Sequence, residues 1–321
     1  MTTLVPLAPS AHPALAATVE QARSYAEAAT APATRKAYAA DRRDFAAFAA
    51  TQDASSLPAA PALVALYATT LAGTKTVATI RRRMVAIAQA HKNAQQENPV
   101  AHPQVQAILQ GIARTKGVAQ RKKDALTADR LRDALLTLVG DSLKVRRDRA
   151  LLLLAFACAA RRSEVAALDV ADLRFDRRGL VVTLRRSKTD QTGQGREIGV
   201  PYVAHEGLCA VRAVRAWLDA AAIAEGPVFR TFSFAGELTS HRIDPKDVAR
   251  LVKRVVAKAG ITGDFAAHSL RAGFITTAAA TKGVSEADIQ RVSGHRSVAI
   301  LRGYVRRATV FEDAPLAAMF A

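Results

Sequence analysis

Tyr304 stands nine residues after His295, in a stretch reading Ser293-Gly294-His295-Arg296-Ser297. Upstream come His268 and Arg271, within His268-Ser269-Leu270-Arg271-Ala272-Gly273, and much further back Arg161, within Ala160-Arg161-Arg162-Ser163-Glu164-Val165. Lys188 lies between these blocks, in Ser187-Lys188-Thr189-Asp190, where a strand pair should turn. A phenol with a pKa of about 10 is a weak nucleophile at neutral pH. It becomes effective when cations gather around phosphoryl oxygens, because negative charge accumulates there in the transition state. Each piece alone has a bland reading: a turn for Gly294-His295, a solvated surface lysine for Lys188, half-buried packing for Tyr25, Tyr38 and Tyr67. The information lies in the conjunction of types, order and spacing.

That order, Arg…Lys…His-x-x-Arg…Gly-His…Tyr, resembles the tyrosine recombinase (phage integrase) family, and within it the branch of Cre and the Xer recombinases. The resemblance is strongest from about residue 127 to 307 and continues more weakly over about 20 to 115. Where the family commonly has Gly-Leu before its first arginine, this chain has Ala159-Ala160, two small residues that still permit a tight approach. Arg162 offers a competing register, but the following Ser163-Glu164 fits the family's Arg-x-Ser-Glu pattern only with Arg161.

Composition points the same way. The 321 residues carry a formal net charge of +18, which favours a polyanionic partner bound through phosphate neutralisation. An anionic membrane surface is the competing partner, and the sequence offers neither a signal-peptide pattern nor a spanning segment for it. Leu151 to Ala160 is apolar but ten residues long, the length of a buried helix rather than a span. Two cysteines, Cys158 and Cys209, make neither a disulfide framework nor a Cys-based zinc site, and fit a reducing cytoplasm. No Gly-x-x-x-x-Gly-Lys loop or tight carboxylate cluster calls for a nucleotide, magnesium or any other cofactor. Asp169 and Asp172 read as caps at the entry to the first strand.

The expected organisation is mainly α with a small antiparallel β-sheet, in two domains. Residues 1–18, with Pro6, Pro9 and Pro13, read as a flexible arm. Residues 19–115 read as an N-terminal helical domain, 116–126 as a basic linker, 127–307 as an α+β catalytic domain and 308–321 as an apolar tail. Helices are expected over Thr34–Ala50 and Leu63–Leu71, then from Thr76, where Ile80, Met84, Ile87 and His91 form a buried stripe, and from Pro103. Arg35, Lys36, Arg42 and Arg43 on the first, and Arg81, Arg82, Arg83 and Lys92 on the third, form clusters almost unrelieved by acids. They are read as DNA-facing in preference to mere solubility. Arg121, Lys122 and Lys123 in the linker would track phosphates between two lobes. Beyond it, helices are expected near Thr127–Val139 and Lys144–Ala159, then a short one capped by Ser163. Strands follow at Leu173–Asp176, Leu180–Arg186 and Arg196–Val200. Further helices span Glu206–Ala222, with Trp217 in the core, Asp244–Ala259 and His268–Ala280. Ser285 to Asp288 resembles a capping box for a helix ending at Gly294, and Ser297 caps the helix of Tyr304.

The resemblance implies DNA cleavage and rejoining through a 3′-phosphotyrosyl bond at Tyr304. Arg161 and Arg271 would grip the nonbridging oxygens, Lys188 would protonate the 5′ leaving oxygen and His268 would take the tyrosine proton. His295 would steady the phosphate, and Glu164 would orient the catalytic arginine or a neighbouring histidine. It also favours a tail that packs on a neighbouring protomer within a DNA-bound tetramer over a tail docked as a helix on its own domain. The free protein is expected to be a monomer, since its +18 charges repel and the apolar tail can fold back locally. On double-stranded DNA two protomers would bind inverted half-sites and two such duplexes would pair, because exchanging strands requires four cuts. A type IB topoisomerase or telomere resolvase shares the chemistry but usually carries other flanking domains. A DNA-binding accessory protein would have no need of all six side chains.

Overall fold

The computed structural model describes residues 13–118, 123–185, 195–295 and 302–303. The chain forms two compact units, residues 1–121 and 122–321. Among the described residues helices dominate both, with small antiparallel sheets in the second.

The first unit holds α1 (Pro13–Ala28), α2 (Pro32–Thr51), α3 (Pro61–Thr74), α4 (Val77–Asn93) and α5 (Pro103–Lys116). Proline opens α2, α3 and α5 within the first two positions, where a missing N–H costs no intrahelical bond. The same reasoning corrects the expected arm: α1 begins at Pro13, so residues 13–18 are helical. Thr76 caps α4 by accepting from the Thr79 amide, and Ile80, Met84, Ile87 and His91 are its buried face. Ile80, Met84 and Ile87 pack with Phe45, Val64, Tyr67, Ala68 and Val105 into one core. His91 is a satisfied core histidine: its Nε2 accepts from the Ala59 amide at 2.9 Å, which leaves Nδ1 to donate to the Ile87 carbonyl. Tyr67 packs in the core, more deeply buried than the half-buried packing expected, whereas Tyr25 is 67% exposed on α1, its hydroxyl bonded to Gln21 of the same helix.

The second unit opens with α6 (Ala128–Leu136) and α7 (Leu143–Ala157), followed by the short α8 (Arg162–Ala167). Strands β1 (Leu173–Phe175), β2 (Gly179–Leu184) and β3 (Arg196–Pro201) form an antiparallel sheet in chain order, with Leu180 opposite Val200 and Val182 opposite Ile198. Then come α9 (Ala210–Ala220), β4 (Arg230–Phe232), β5 (Leu238–Arg242), α10 (Pro245–Lys258), α11 (His268–Ala280) and α12 (Glu286–Ser293). The expected helix from Glu206 starts instead as a 3-10 turn, with α9 proper beginning at Ala210. Trp217 lies fully buried, its indole N–H donating to the Val228 carbonyl at 2.8 Å. The β4–β5 hairpin is a feature the sequence did not suggest. Both strands are short and no side chain in either is fully buried, so no inward-outward alternation marks them. Asp169 and Asp172 do sit at the entry to β1, the Asp172 carboxylate accepting from the Asp169 amide at 2.9 Å.

α11 is locked in place by the segment entering this unit. The Asp124 amide donates to the Asp264 carbonyl at 3.0 Å, and the Leu126 amide to the Ser269 carbonyl at 2.9 Å. Gly273 is required here, because a Cβ would collide with the Leu126 carbonyl. Among the described residues no helix is long and apolar enough to cross a membrane.

Candidate functional site

The site begins with the way α7 ends. Cys158 closes the helix, and the Ala159 and Ala160 amides turn back to the Phe156 and Ala155 carbonyls at 2.8 and 2.9 Å. This is a Schellman termination, which puts the residue after the cap in the left-handed region. Ala159 accordingly has φ +44°, where glycine is usual. The turn aims the Ala159 carbonyl at α11, where it accepts from Arg271 Nη1 at 2.7 Å. A guanidinium that is only 1% exposed is thereby anchored on the buried side while its other nitrogen faces the site.

Arg161 follows as the N-cap of α8. Ser163, expected as the cap, lies inside the first turn and is exposed; the capping group is Glu164. Its Oε2 accepts from the Arg161 amide at 2.8 Å, and its Oε1 from Arg161 Nη1 at 2.6 Å. One buried carboxylate thus holds both ends of Arg161, while Arg162 is exposed.

Ser285 and Asp288 form the expected capping box of α12, and Gly294 ends that helix at φ +64°. Gly294 is needed twice over, since a Cβ would also strike the Arg196 guanidinium. The turn delivers His295, whose Nδ1 lies 2.8 Å from Ser293 Oγ and whose Nε2 lies 3.2 Å from Arg271 Nη2. A neutral ring with Nδ1–H directed at Ser293 and Nε2 accepting from Arg271 satisfies both contacts.

Arg161, His268, Arg271 and His295, widely separated in the chain, therefore converge on one place. Their mutual electrostatics register it. Burial, then the guanidinium groups of Arg271 and Arg161, push His295 down to about 4, with His268 and Arg196 adding to the effect. The same three leading causes, in the same order, hold His268 below the ordinary histidine range, although it keeps an exposed edge. Beneath them the Cys158 thiol is pushed up to about 12, chiefly by burial, and is inert as a nucleophile. The place where they meet is rich in positive charge, with Arg161, Arg196 and Arg271 around the two histidines. Among the described residues no three of His, Cys, Asp or Glu gather as a metal site would require. Lys188 and Tyr304 lie outside the described residues, as does Ser297.

Arg196 was not singled out in the sequence. The signal was there, because on β3 it shares the inward parity of the buried Ile198 and Val200. A cation at an inward strand position needs a reason.

The basic clusters of the first unit differ from their expected description. Lys36, Arg42, Arg43, Arg81 and Lys92 are exposed. Arg35, Arg42 and Lys92 also line a cleft of about 360 Å3 with Tyr38 and Gln89. The expectation of almost no acidic relief is corrected at three positions. Arg35 pairs with Glu27 at 3.3 Å, and Arg82 is clamped on both oxygens of buried Asp41, at 2.9 and 2.8 Å. Arg83, with a side chain only 11% exposed, is paired with Asp44 and donates to the Tyr67 hydroxyl at 2.7 Å. The missing information was spatial, since Asp41 and Asp44 belong to another helix. Lys123 is likewise engaged, reaching both Asp264 oxygens at 2.6 Å. Arg121 and Lys122 lie outside the described residues.

Residues 125–309 match the phage integrase family. An integrase/recombinase XerD homologue of Selenomonas ruminantium is 36% identical over 306 residues, covering 94% of this chain and 89% of the relative. Among solved structures, the XerH site-specific recombinase bound to palindromic difH substrate, in a post-cleavage complex, superposes with a TM-score of 0.57 at 17% identity, over 81% of this chain and 71% of the other. A lambda integrase tetramer bound to a Holliday junction gives 0.53 at 19% identity, over 78% and 66%. At such identities these two likenesses speak for the fold.

Proposed function

The chain belongs to the phage integrase family as a tyrosine site-specific recombinase, and from that premise we propose that Tyr304 is its nucleophile, with Arg161, Lys188, His268, Arg271 and His295 gathered around the phosphate it attacks. The convergence of Arg161, His268, Arg271 and His295 on one pocket carries this assignment.

The reaction follows from the charges. Arg161 and Arg271 donate to the nonbridging oxygens, and these bonds strengthen as charge builds on phosphorus. The Tyr304 oxygen attacks in line, giving up its proton to His268, and the bond to the 5′ oxygen breaks as Lys188 protonates it. The products are a 3′-phosphotyrosyl bond and a free 5′ hydroxyl, and the covalent bond conserves the energy needed for rejoining. His268 suits a base, since its lowered affinity for protons leaves it unprotonated at neutral pH. His295 enters neutral and meets the phosphate as a hydrogen-bonding group rather than a charge.

Double-stranded DNA is the substrate in this reading, met by the exposed Lys36, Arg42, Arg43, Arg81 and Lys92. Two protomers bind inverted half-sites and two such duplexes pair into a tetramer, because exchanging strands requires four cuts. The free protein is a monomer, the tail of residues 308–321 docks on a neighbouring protomer only on DNA, and the reaction belongs in the cytoplasm. A substrate with a bridging 5′ sulfur should trap a protein–DNA adduct that survives denaturation and maps to Tyr304. An adduct on Tyr202, or none on the proper site, would sink the assignment. Retention of cleavage by Tyr304→Phe would do the same.

A further inference from the structure

We propose that Arg196 is a positioning residue for the cleavage site, bracing the arginine-bearing end of α8 against the histidine-bearing turn after α12. Its two terminal nitrogens do different things. Nη1 donates to the Ser293 carbonyl at 2.7 Å, and Nη2 lies 3.5 Å from Glu164 Oε2. The first contact pins the residue two before His295, whose hydroxyl touches the His295 ring. The second reaches the carboxylate that holds Arg161 at both its amide and its guanidinium. Gly294 completes the arrangement, since only the absence of a side chain lets the guanidinium lie across the turn.

The placement of Arg196 excludes a simpler surface role. Its side chain is 19% exposed, it occupies the inward side of β3, and its buried Nε has no hydrogen-bond partner among the described residues. A lysine in its place would supply one donor where the guanidinium spans two acceptors. Arg196 also starts the strand that leaves the segment containing Lys188. Displacing it would disturb the positions of Arg161 and His295 together, and a misplacement of about 1 Å costs on the order of 100-fold in rate.

The catalytic arm of the test rests on the cleavage reading above; the structural arm does not. Arg196→Met should slow single-turnover cleavage about 100-fold with DNA affinity within about twofold, and Arg196→Lys should recover part of the rate. Glu164→Gln added to Arg196→Met should cost much less than the product of the two single defects, because both act through Arg161. In the free protein, hydrogen exchange at the amides of residues 161–165 and 293–295 should speed up in Arg196→Met, while α6 and α10 exchange as in wild type. Arg147→Met serves as control: it removes a buried arginine paired with Asp148, away from this brace, and should lower stability without slowing cleavage. Unchanged exchange at both segments, or wild-type cleavage by Arg196→Met, would overturn the proposal. A wild-type protein that forms no adduct would overturn the cleavage reading instead, and the exchange pattern would still decide whether the brace exists.

Discussion

Two groups of arginines in this chain meet opposite environments. On α2 and α4, Arg82 and Arg83 face Asp41 and Asp44, so two cations are matched by two carboxylates, with the Tyr67 hydroxyl joining them. Burial, with the Asp44 hydrogen bond next, holds that hydroxyl's pKa far above the ordinary tyrosine value, so it stays a protonated donor. In the second unit, Arg161, Arg196 and Arg271 crowd two histidines, and the carboxylate paired with them among the described residues is Glu164. The first group is a balanced network that fastens one helix to another. The second carries an excess of positive charge, tolerable in a folded protein when an anion is to occupy the space. Arginine count does not separate the two groups; the local ratio of cations to carboxylates does.

The largest expected effect lies in the second group. Arg271→Met keeps the volume but removes the donors, and should lower cleavage by about 10²–10³-fold in a single-turnover assay. A loss below tenfold would mean that this guanidinium supports the fold rather than the reaction. The first group should respond the other way. Asp41→Asn leaves Arg82 and Arg83 short of a partner and should cost about 2–3 kcal/mol in denaturant unfolding, less than the roughly 3–5 of a fully buried pair because Arg82 is half exposed. Its cleavage rate, once DNA is bound, should stay at wild type. If Asp41→Asn slows cleavage while leaving stability intact, the division between the two groups fails.

A pH effect sharpens the same contrast. His295 sits near 4 in the folded protein and at about 6.5 when unfolded, so between those values the unfolded chain binds more protons. Stability should therefore be full above about pH 6.5 and fall as the pH drops toward 4. Urea midpoints across this range should show a shallower slope in His295→Gln than in wild type. Identical slopes would mean that neither burial nor the neighbouring guanidinium groups lower the ring's affinity for protons.

The smallest effect concerns the backbone. Ala159 is held in a left-handed conformation, so Ala159→Gly should raise stability by about 1 kcal/mol with cleavage unchanged. A destabilised variant would show that the Ala159 methyl contributes more to packing than its conformation costs.

Much of this molecule was legible before any coordinate. The stripe of Ile80, Met84, Ile87 and His91, the capping signals at Thr76 and Ser285, and the span of α11 follow from local rules: a 3.6-residue period and short polar side chains that satisfy free amides. Burial of Trp217 followed from its place on an amphipathic helix. The order and spacing of Arg161, His268, Arg271 and His295 were equally open to reading, because they are properties of the chain itself.

What only the tertiary structure decided was pairing. That Asp41 would claim Arg82, that the Ala159 carbonyl would anchor Arg271, and that Arg196 would join Glu164 to Ser293 all depend on groups 41, 112, 32 and 97 residues apart. Spacing along a chain states which side chains share a helix face or strand side. It cannot state which carboxylate or carbonyl another element will bring within about 3.5 Å, since hydrogen bonds and ion pairs act at that range and only packing sets it.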